Sequence, residues 1–348
     1  MSISIAGRKI GPNQPPYIIA EMSANHNGDI QRAFDIISMA KRSGADAVKL
    51  QTYKPDTITY NSTAEDFMIR GGLWDGRNLY ELYQSAYMPW EWHKPLFEFA
   101  RQLDITLFSS PFDNTAVDLL EDLNAPAYKI ASFEAIDLPL IEYVAQTGKP
   151  MIISTGMANQ DEIAEAIATA RDAGCRELAI LHCVSGYPAP ASDYNLKTLV
   201  DMQRRFAVPV GLSDHTLDNT TAIASVVLGG CIIEKHVTLD REGGSADDAF
   251  SLEEADLKSL CANAKTAWQA LGKVDYGLQS SEKANIKFRR SLYFVKDILK
   301  GEVISAEHIK SIRPGYGLVP KYTKQVIGKI ALLDIQAGTA VKWHHIEN

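Results

Sequence analysis

His215 and His236 each close a short apolar run of the same form. The first run, PVGLSDHT over residues 209–216, finishes with Ser213, Asp214 and His215; the second, CIIEKHVTLD, starts at Cys231 and reaches Glu234, Lys235 and His236, twenty-one residues further on. Buried strands seldom finish in such polar clusters, so two imidazoles at the ends of consecutive strands point to a shared site. Two neutral imidazoles hold a divalent transition ion and leave positions for water and a substrate oxygen, as a Lewis acid requires. Lys49 and Lys129, with several serines near the ends of their own runs, suit phosphate or carboxylate oxygens through charge-assisted hydrogen bonds. Glu21, Glu134, Asp214 and Glu234 are available to orient ligands or to carry protons.

The elements that must position these groups follow from the patterning. Apolar strands are predicted at residues 17–21, 47–52, 105–110, 127–132, 151–155, 178–184, 208–213 and 231–237, and most gaps between them have helical periodicity. Ala33, Ile36, Ile37 and Ala40 recur at helical spacing between Asn27-Gly28-Asp29 and Gly44, and Asn159 with Glu162 forms the pattern of a capping box. Eight alternating units over residues 1–272 predict a parallel (β/α)8 barrel rather than a doubly wound sheet, since NHNGD after the first strand is no dinucleotide-binding turn. Lys49, Gln51, Ser109, Ser110, Lys129, Ser132, Ser154, Ser185, Ser213, His215 and His236 then fall at the carboxyl ends of their strands, where barrel enzymes assemble their sites. A lone strand-end serine is ordinarily a helix cap and a lone histidine a structural residue; recurrence over seven or eight strands is not explained that way.

The 348 residues have 46% hydrophobic and 22% charged side chains, ordinary for a globular protein able to bury a full core. No run approaches the ~18 apolar residues of a membrane helix, and MSISIAGRKIGPNQPP lacks a signal-peptide core, so a cytoplasmic location without a membrane partner is expected. The four cysteines have no CxxC spacing and are expected to be buried free thiols. From Lys283 onward 12 Lys/Arg face 5 Asp/Glu, a net +7 against −15 for residues 1–282. The basic residues are interleaved with strand- and turn-like segments rather than blocked together, which favours docking of a basic module on an acidic body over binding of nucleic acid. KVDYGLQSSEKAN, within a linker at residues 273–286, separates the barrel from a small module at residues 287–348 rich in turns such as RPGYGLVPK.

AEMSANHNGD, GADAVKLQTY, FSSPFD, AYKIASFE, STGMA, GLSDHT, IEKHVTLDR, FRRSLY and SIRPGYGL, in this order along the whole chain, resemble the sialic acid synthase family. The resemblance implies a barrel followed by an antifreeze-like (SAF) domain. It also implies a metal-dependent transferase that condenses phosphoenolpyruvate with an amino-sugar aldehyde and water, giving a 2-keto sugar acid and phosphate. SANHNG in place of INHNG, SFE after the fourth strand and the insertion FMIRGGLWDGRNLYELYQSAYMPWEWH are similar to the pseudaminic branch. Its sugar is 2,4-diacetamido-2,4,6-trideoxy-L-altrose; the N-acetylneuraminate and legionaminate branches are the alternatives. The insertion's aromatics, Trp74, Tyr80, Tyr83, Trp90 and Trp92, are for the most part expected to pack an excursion over the barrel mouth.

Carried over residue by residue, the resemblance implies His215 and His236 as ligands of a divalent metal, manganese by expectation. Lys49, Ser110 and Ser132 would take the carboxylate of phosphoenolpyruvate, and Lys129, Ser154, Ser185 and Ser213 its phosphate. Glu21, Gln51, Glu134, Tyr187 and Asp247 would face the sugar or the attacking water, with Glu134 carrying a proton. GGSADDAFSL departs from the family's usual segment, and counting back from Phe250 selects Asp247 over Asp248. Arg313 would enter the partner's site in a domain-swapped homodimer. Three other readings stand beside this one: a Schiff-base aldolase using Lys129, a metal-dependent amidohydrolase, and a sugar-binding barrel without turnover.

Overall fold

The computed structural model describes residues 2–347. The chain divides after Gly272 into two compact units. In order, the first carries β1 (Ile3–Ile5), β2 (Arg8–Ile10), β3 (Tyr17–Glu21), α1 (Ile30–Ser43), β4 (Ala47–Thr52), α2 (Pro55–Ile58), α3 (Leu79–Ala86), α4 (Trp90–Gln102), β5 (Thr106–Pro111), α5 (Asn114–Asp122), β6 (Tyr128–Ile130), α6 (Leu138–Gln146), β7 (Met151–Ser154), α7 (Gln160–Asp172), β8 (Leu178–Cys183), α8 (Lys197–Phe206), β9 (Val210–Ser213), α9 (Thr220–Val227), β10 (Ile232–His236) and α10 (Glu254–Leu271). Strands β3 to β10 pair in parallel, each with the next, and β10 closes on β3. The (β/α)8 barrel expected from the alternation is therefore the architecture, and observed strand bounds differ from the predicted ones by at most a few residues.

Local signals set the helix ends. Asp29 caps α1 by accepting from the Gln31 amide, and Gly44 ends it at φ 90°, a conformation that favours glycine. Asn159 and Glu162 form the capping box of α7.

Alternation along each strand sorts the side chains into two sets. In β4, Val48 and Leu50 join the apolar layer beneath the helices, whereas Ala47, Lys49 and Gln51 point inward. In β10, Ile233 faces the helices while Ile232, Glu234 and His236 face the axis. The inward set is apolar at the strands' amino ends, where Tyr17, Ile19, Phe108, Ile152, Leu181 and Ile232 fill the axis. The β1–β2 hairpin plugs this end with Ile3, Ile5 and Ile10, and burial of such a side chain contributes about 1.5–3 kcal/mol. The inward set becomes polar only at the carboxyl ends, so the barrel has one sealed end and one chemical end.

The second unit begins with an exposed segment containing a 3-10 run, Ser280–Phe288, and pairs β11 (Ser291–Phe294) with β12 (Ile309–Ile312) antiparallel, before a short helix α11 (Thr323–Val326). Leu292, Phe294, Ile298, Ile304, Ile335 and Val341 belong to its separate core. Among the described residues no helix is long and apolar enough to cross a membrane. Cys175, Cys183 and Cys231 are buried free thiols; Cys261 is only half-buried.

Candidate active site

The carboxyl ends of the strands surround a cavity of about 350 Å³, within the range of small-molecule sites. Its floor is an ionic network. Lys49 Nζ lies 2.6 Å from Glu21 Oε2 and donates to Ser110 Oγ at 3.1 Å. Glu234 Oε1 stands between the two lysines, 3.7 Å from Lys49 Nζ and 3.6 Å from Lys129 Nζ. Gln51 Nε2 donates to the other oxygen of Glu21 at 3.0 Å. All four charged groups are essentially removed from water, where an ion without a partner is very costly. Burial lowers the Lys129 ammonium; burial also works against Lys49, but Glu21 and Glu234 outweigh it and hold that ammonium above its ordinary value. Burial pushes the Glu21 carboxyl up, against the pull of Lys49.

Hydroxyls ring this floor. Ser132 and Ser185 share a hydrogen bond of 2.8 Å, Ser213 Oγ lies 3.4 Å from Glu234 Oε1, and the buried Ser154 Oγ has no partner. A buried hydroxyl without a partner is costly and suits a ligand oxygen. Gly156 makes the ring possible: at φ 28°, a Cβ there would meet Ser132 Cβ at 2.4 Å and Ser185 Oγ at 2.6 Å. Ser109, expected with the others, belongs to the outward set and bonds Thr52 and, through it, His93 beneath the helices. A one-residue step along β5 separates it from Ser110 on the inner face.

The histidines stand just beyond Ser213 and Glu234 at the ends of β9 and β10, ring centroids 5.4 Å apart. His215 Nδ1 is committed to the Val184 carbonyl at 2.8 Å, which leaves Nε2 free. Burial holds His215 down at about 4 and His236 well below its ordinary value, so both are neutral. His236 Nδ1 has no hydrogen-bond partner and lies 3.7 Å from Asp247 Oδ2. Two uncharged imidazoles, one with an unpartnered nitrogen, form a donor set that fits a divalent ion completed by water or substrate. Among the described residues no group of three or more His, Cys, Asp or Glu is arranged as a full protein ligand set.

Tyr187 lies tilted over the His215 ring, centroids 4.4 Å apart, and meets His236 edge-on at 6.1 Å. Asp247 lines the cavity beside Ser23, whereas Asp248 turns away to Arg32 and Thr238. Glu134, on the short turn after β6, also faces the cavity with Oε2 unpartnered, and burial pushes its carboxyl up to about 7. Of the site residues expected in the barrel, Ser109 and Asp214 face away from the cavity, Asp214 toward Lys235; Ser110 and Ser185 touch the lining residues Lys49 and Ser132, and the others line the cavity directly. Arg313 belongs to the second unit, exposed at the end of β12. Its turn is clamped by Ser291, whose Oγ donates to the Pro314 carbonyl and accepts from the Gly317 amide.

Other lining residues were not expected. Ser23, Cys183, Phe112 and Phe133 border the cavity, as do Ile58, Ile69, Leu79 and Leu82 of the excursion between β4 and α4. Trp74 and Tyr83 line it as well, whereas Trp90 bonds the Tyr53 carbonyl and Trp92 packs on His26. Only Ser23 carried a local signal, a polar residue two positions beyond a strand's end.

The sequence profile of the NeuB family matches residues 36–276, and that of the SAF domain matches residues 289–347. The pseudaminic acid synthase of Helicobacter pylori is 45% identical over 336 residues, spanning 96% of this chain and 98% of that protein. An N,N'-diacetyllegionaminic acid synthase of Legionella pneumophila is 34% identical, spanning 97% of this chain and 96% of its own length. Among solved structures, spore coat polysaccharide biosynthesis protein SpsE of Bacillus subtilis superposes with a TM-score of 0.68 at 33% identity, covering 100% of this chain and 99% of that one.

Proposed function

The chain belongs to the NeuB family, and on that premise we propose that it condenses phosphoenolpyruvate with 2,4-diacetamido-2,4,6-trideoxy-L-altrose and water to give pseudaminic acid and phosphate. The observation that carries the chemistry is the convergence of Lys49 and Lys129 on one carboxylate beneath a ring of serines. The sugar rests on 45% identity to a pseudaminic acid synthase, against 34% to a legionaminic one.

In this reading Lys49, Ser110 and Ser132 take the carboxylate of phosphoenolpyruvate, and Lys129, Ser154, Ser185 and Ser213 its phosphate. The unpartnered Ser154 hydroxyl supports the second assignment. Glu21 and Glu234 keep the lysines charged and in place before the anion arrives. C3 of the enol bonds to the aldehyde carbon while Glu134 gives its proton to the aldehyde oxygen, which becomes a hydroxyl. Water adds at the oxocarbenium-like C2, and its proton returns Glu134 to the starting state. The tetrahedral intermediate expels phosphate by C–O cleavage as the C2 hydroxyl passes its proton to the departing phosphate, leaving the 2-keto acid. A carboxyl near 7 is protonated often enough to give and basic enough to receive. Gln51, Tyr187 and Asp247 face the sugar, and Glu21 lies beside the reacting carbons.

His215 and His236 are the residues that would hold a divalent ion, manganese by expectation, which supplies Lewis-acid polarisation of a carbonyl oxygen when bound. The proposal includes a homodimer in which the basic segment from Lys283 onward, net +7, crosses to a partner whose residues 1–282 carry net −15, and brings Arg313 to the sugar. Without a membrane span among the described helices, the cytoplasm is the proposed compartment.

Phosphate release from phosphoenolpyruvate with a panel of amino sugars tests the reading. Turnover of the trideoxy altrose in preference to N-acetylmannosamine supports it. Better turnover of N-acetylmannosamine, or of a stereoisomer of the diacetamido sugar, moves the chain to another branch of the family; borohydride trapping of Lys129 with substrate replaces the mechanism with a Schiff base.

A further inference from the structure

The cavity has two chemically distinct sides. Barrel strands and their immediate loops supply every charged side chain that lines it, whereas the excursion between β4 and α4 supplies Ile58, Ile69, Leu79, Leu82, Tyr83 and Ala86, none of them charged. The excursion is not short of charge. Glu65, Asp66, Arg70, Asp75 and Arg77 are all exposed, and Arg70 pairs with Glu65 in solvent. Its sequence is thus sorted, with these charges outward and, Leu73 apart, its leucine and isoleucine side chains inward, over a segment that has no strand to impose alternation.

The wall is tied to the barrel at both ends. Trp74 Nε1 donates to the Ala246 carbonyl at 3.3 Å, and its ring lies 5.8 Å from that of Tyr187. At the other end Tyr83 packs edge-on against Tyr53, centroids 5.6 Å apart, and Tyr53 in turn against Phe112. Tyr53 directly follows β4, which carries Lys49 and Gln51. The aliphatic surface is therefore held at a set height above the ionic floor.

Resting on the substrate reading above, we propose that this wall is the specificity element for the end of the sugar remote from the aldehyde, and that it receives the C6 methyl group of a 6-deoxy sugar. The aldehyde must face Glu134 and the histidines for the condensation to occur, so the tail of the open chain extends toward the remaining side of the cavity. A C6 hydroxyl placed there loses water and finds no partner among Ile58, Ile69, Leu79, Leu82 and Ala86. The aliphatic part of the wall, which excludes Tyr83 and its hydroxyl, thus selects against a hydroxymethyl tail by leaving it unsatisfied.

The test compares kcat/KM for two sugars that differ only at C6: 2,4-diacetamido-2,4,6-trideoxy-L-altrose and its 6-hydroxy congener. Because an apolar pocket rejects an added hydroxyl only modestly, the wild-type preference for the 6-deoxy sugar is expected to be about 10- to 100-fold. Ile69→Thr and Leu79→Thr, two half-buried positions on different segments of the wall, should each bring it to within about threefold. Phosphoenolpyruvate affinity, measured by calorimetry, should be unchanged in both and serves as the check on folding. If the 6-deoxy sugar is the better substrate and both variants keep the wild-type ratio, this inference fails while the substrate reading stands. If the wild type uses neither altrose sugar but turns over another amino sugar, the substrate reading fails and takes the inference with it.

Discussion

Lys235 Nζ lies 3.0 Å from Asp214 Oδ2 in an ion pair that sits immediately beside both candidate metal ligands in sequence, yet on the opposite face of the strand ends. The same ammonium donates to the carbonyls of Thr216 at 2.7 Å and Asp218 at 2.8 Å. It therefore clamps the loop that leaves His215. Removing one partner of a buried pair leaves an uncompensated charge, so Lys235→Met should cost about 3–5 kcal/mol in urea denaturation. Replacing both, as Lys235→Met with Asp214→Leu, should recover most of that stability. A double variant no more stable than Lys235→Met would show that the carbonyl contacts, not the ion pair, hold the loop.

Chelation should abolish turnover, and Mn²⁺ or a similar ion should restore it. His215→Ala should bind that ion at least about tenfold more weakly by direct titration while retaining the wild-type far-UV spectrum, since the residue stands at a strand end rather than in the packed axis. Full turnover by metal-free protein would remove the ion from the mechanism.

Glu134 ties stability to activity. Burial raises its carboxyl from an ordinary 4.5 to about 7, so the folded state favours the protonated form. Above about pH 7 the folded protein therefore holds an unfavourable buried charge, and the penalty fades as pH falls from about 7 toward 4.5. Glu134→Gln should therefore be more stable than wild type at pH 8, with a smaller gap at pH 5, while losing about 10²- to 10⁴-fold in kcat. In the wild type, kcat should decline as pH rises through about 7, and the variant should lack this limb. An equal stability gap at both pH values would contradict the assigned ionisation.

Gly156→Ala should raise the KM for phosphoenolpyruvate more than it lowers kcat, because the added methyl must displace the Ser132–Ser185 pair. Strain of about 1–3 kcal/mol at such a position corresponds to roughly 5- to 150-fold in affinity if it is relieved by moving the serines. Unchanged affinity measured by calorimetry would show that the two hydroxyls do not hold the ligand.

Arg313→Ala should weaken use of the sugar and leave phosphoenolpyruvate binding nearly intact, since the barrel supplies all of the anion's proposed contacts. Mixed with a Lys129→Ala protein after demonstrated subunit exchange, it should regain activity, because one site in each heterodimer then has both intact partners. No recovery would place Arg313 in its own subunit's chemistry or in none.

Much of the barrel was legible from sequence because a parallel strand between helices announces itself locally. Short apolar runs, Asp29 and Gly44 at the ends of α1, and the Asn159–Glu162 box need only near neighbours in the chain. The inward set was legible for a similar reason: with a period of two, Lys49 and Gln51 must share a face, and so must Glu234 and His236. Resemblance to a family added roles that no periodicity supplies.

Tertiary structure alone decided what these residues do to one another. Glu234 lies between Lys49 and Lys129 only because β10, β4 and β6 curve around one axis, and no spacing in the chain encodes that meeting. The direction of Ser109, the neutral state of both histidines and the raised carboxyl of Glu134 likewise depend on burial by distant segments. The excursion was the least legible part. Its Ile69 and Trp74 have no periodic framework, unlike Leu82 on α3, and which residues reach the cavity is set by anchors at Tyr53, where the excursion begins, and at Ala246, far away in sequence. Local sequence specifies a side chain's chemistry and the face of its element, while closure of the barrel sets the distances and the exclusion of water on which that chemistry depends.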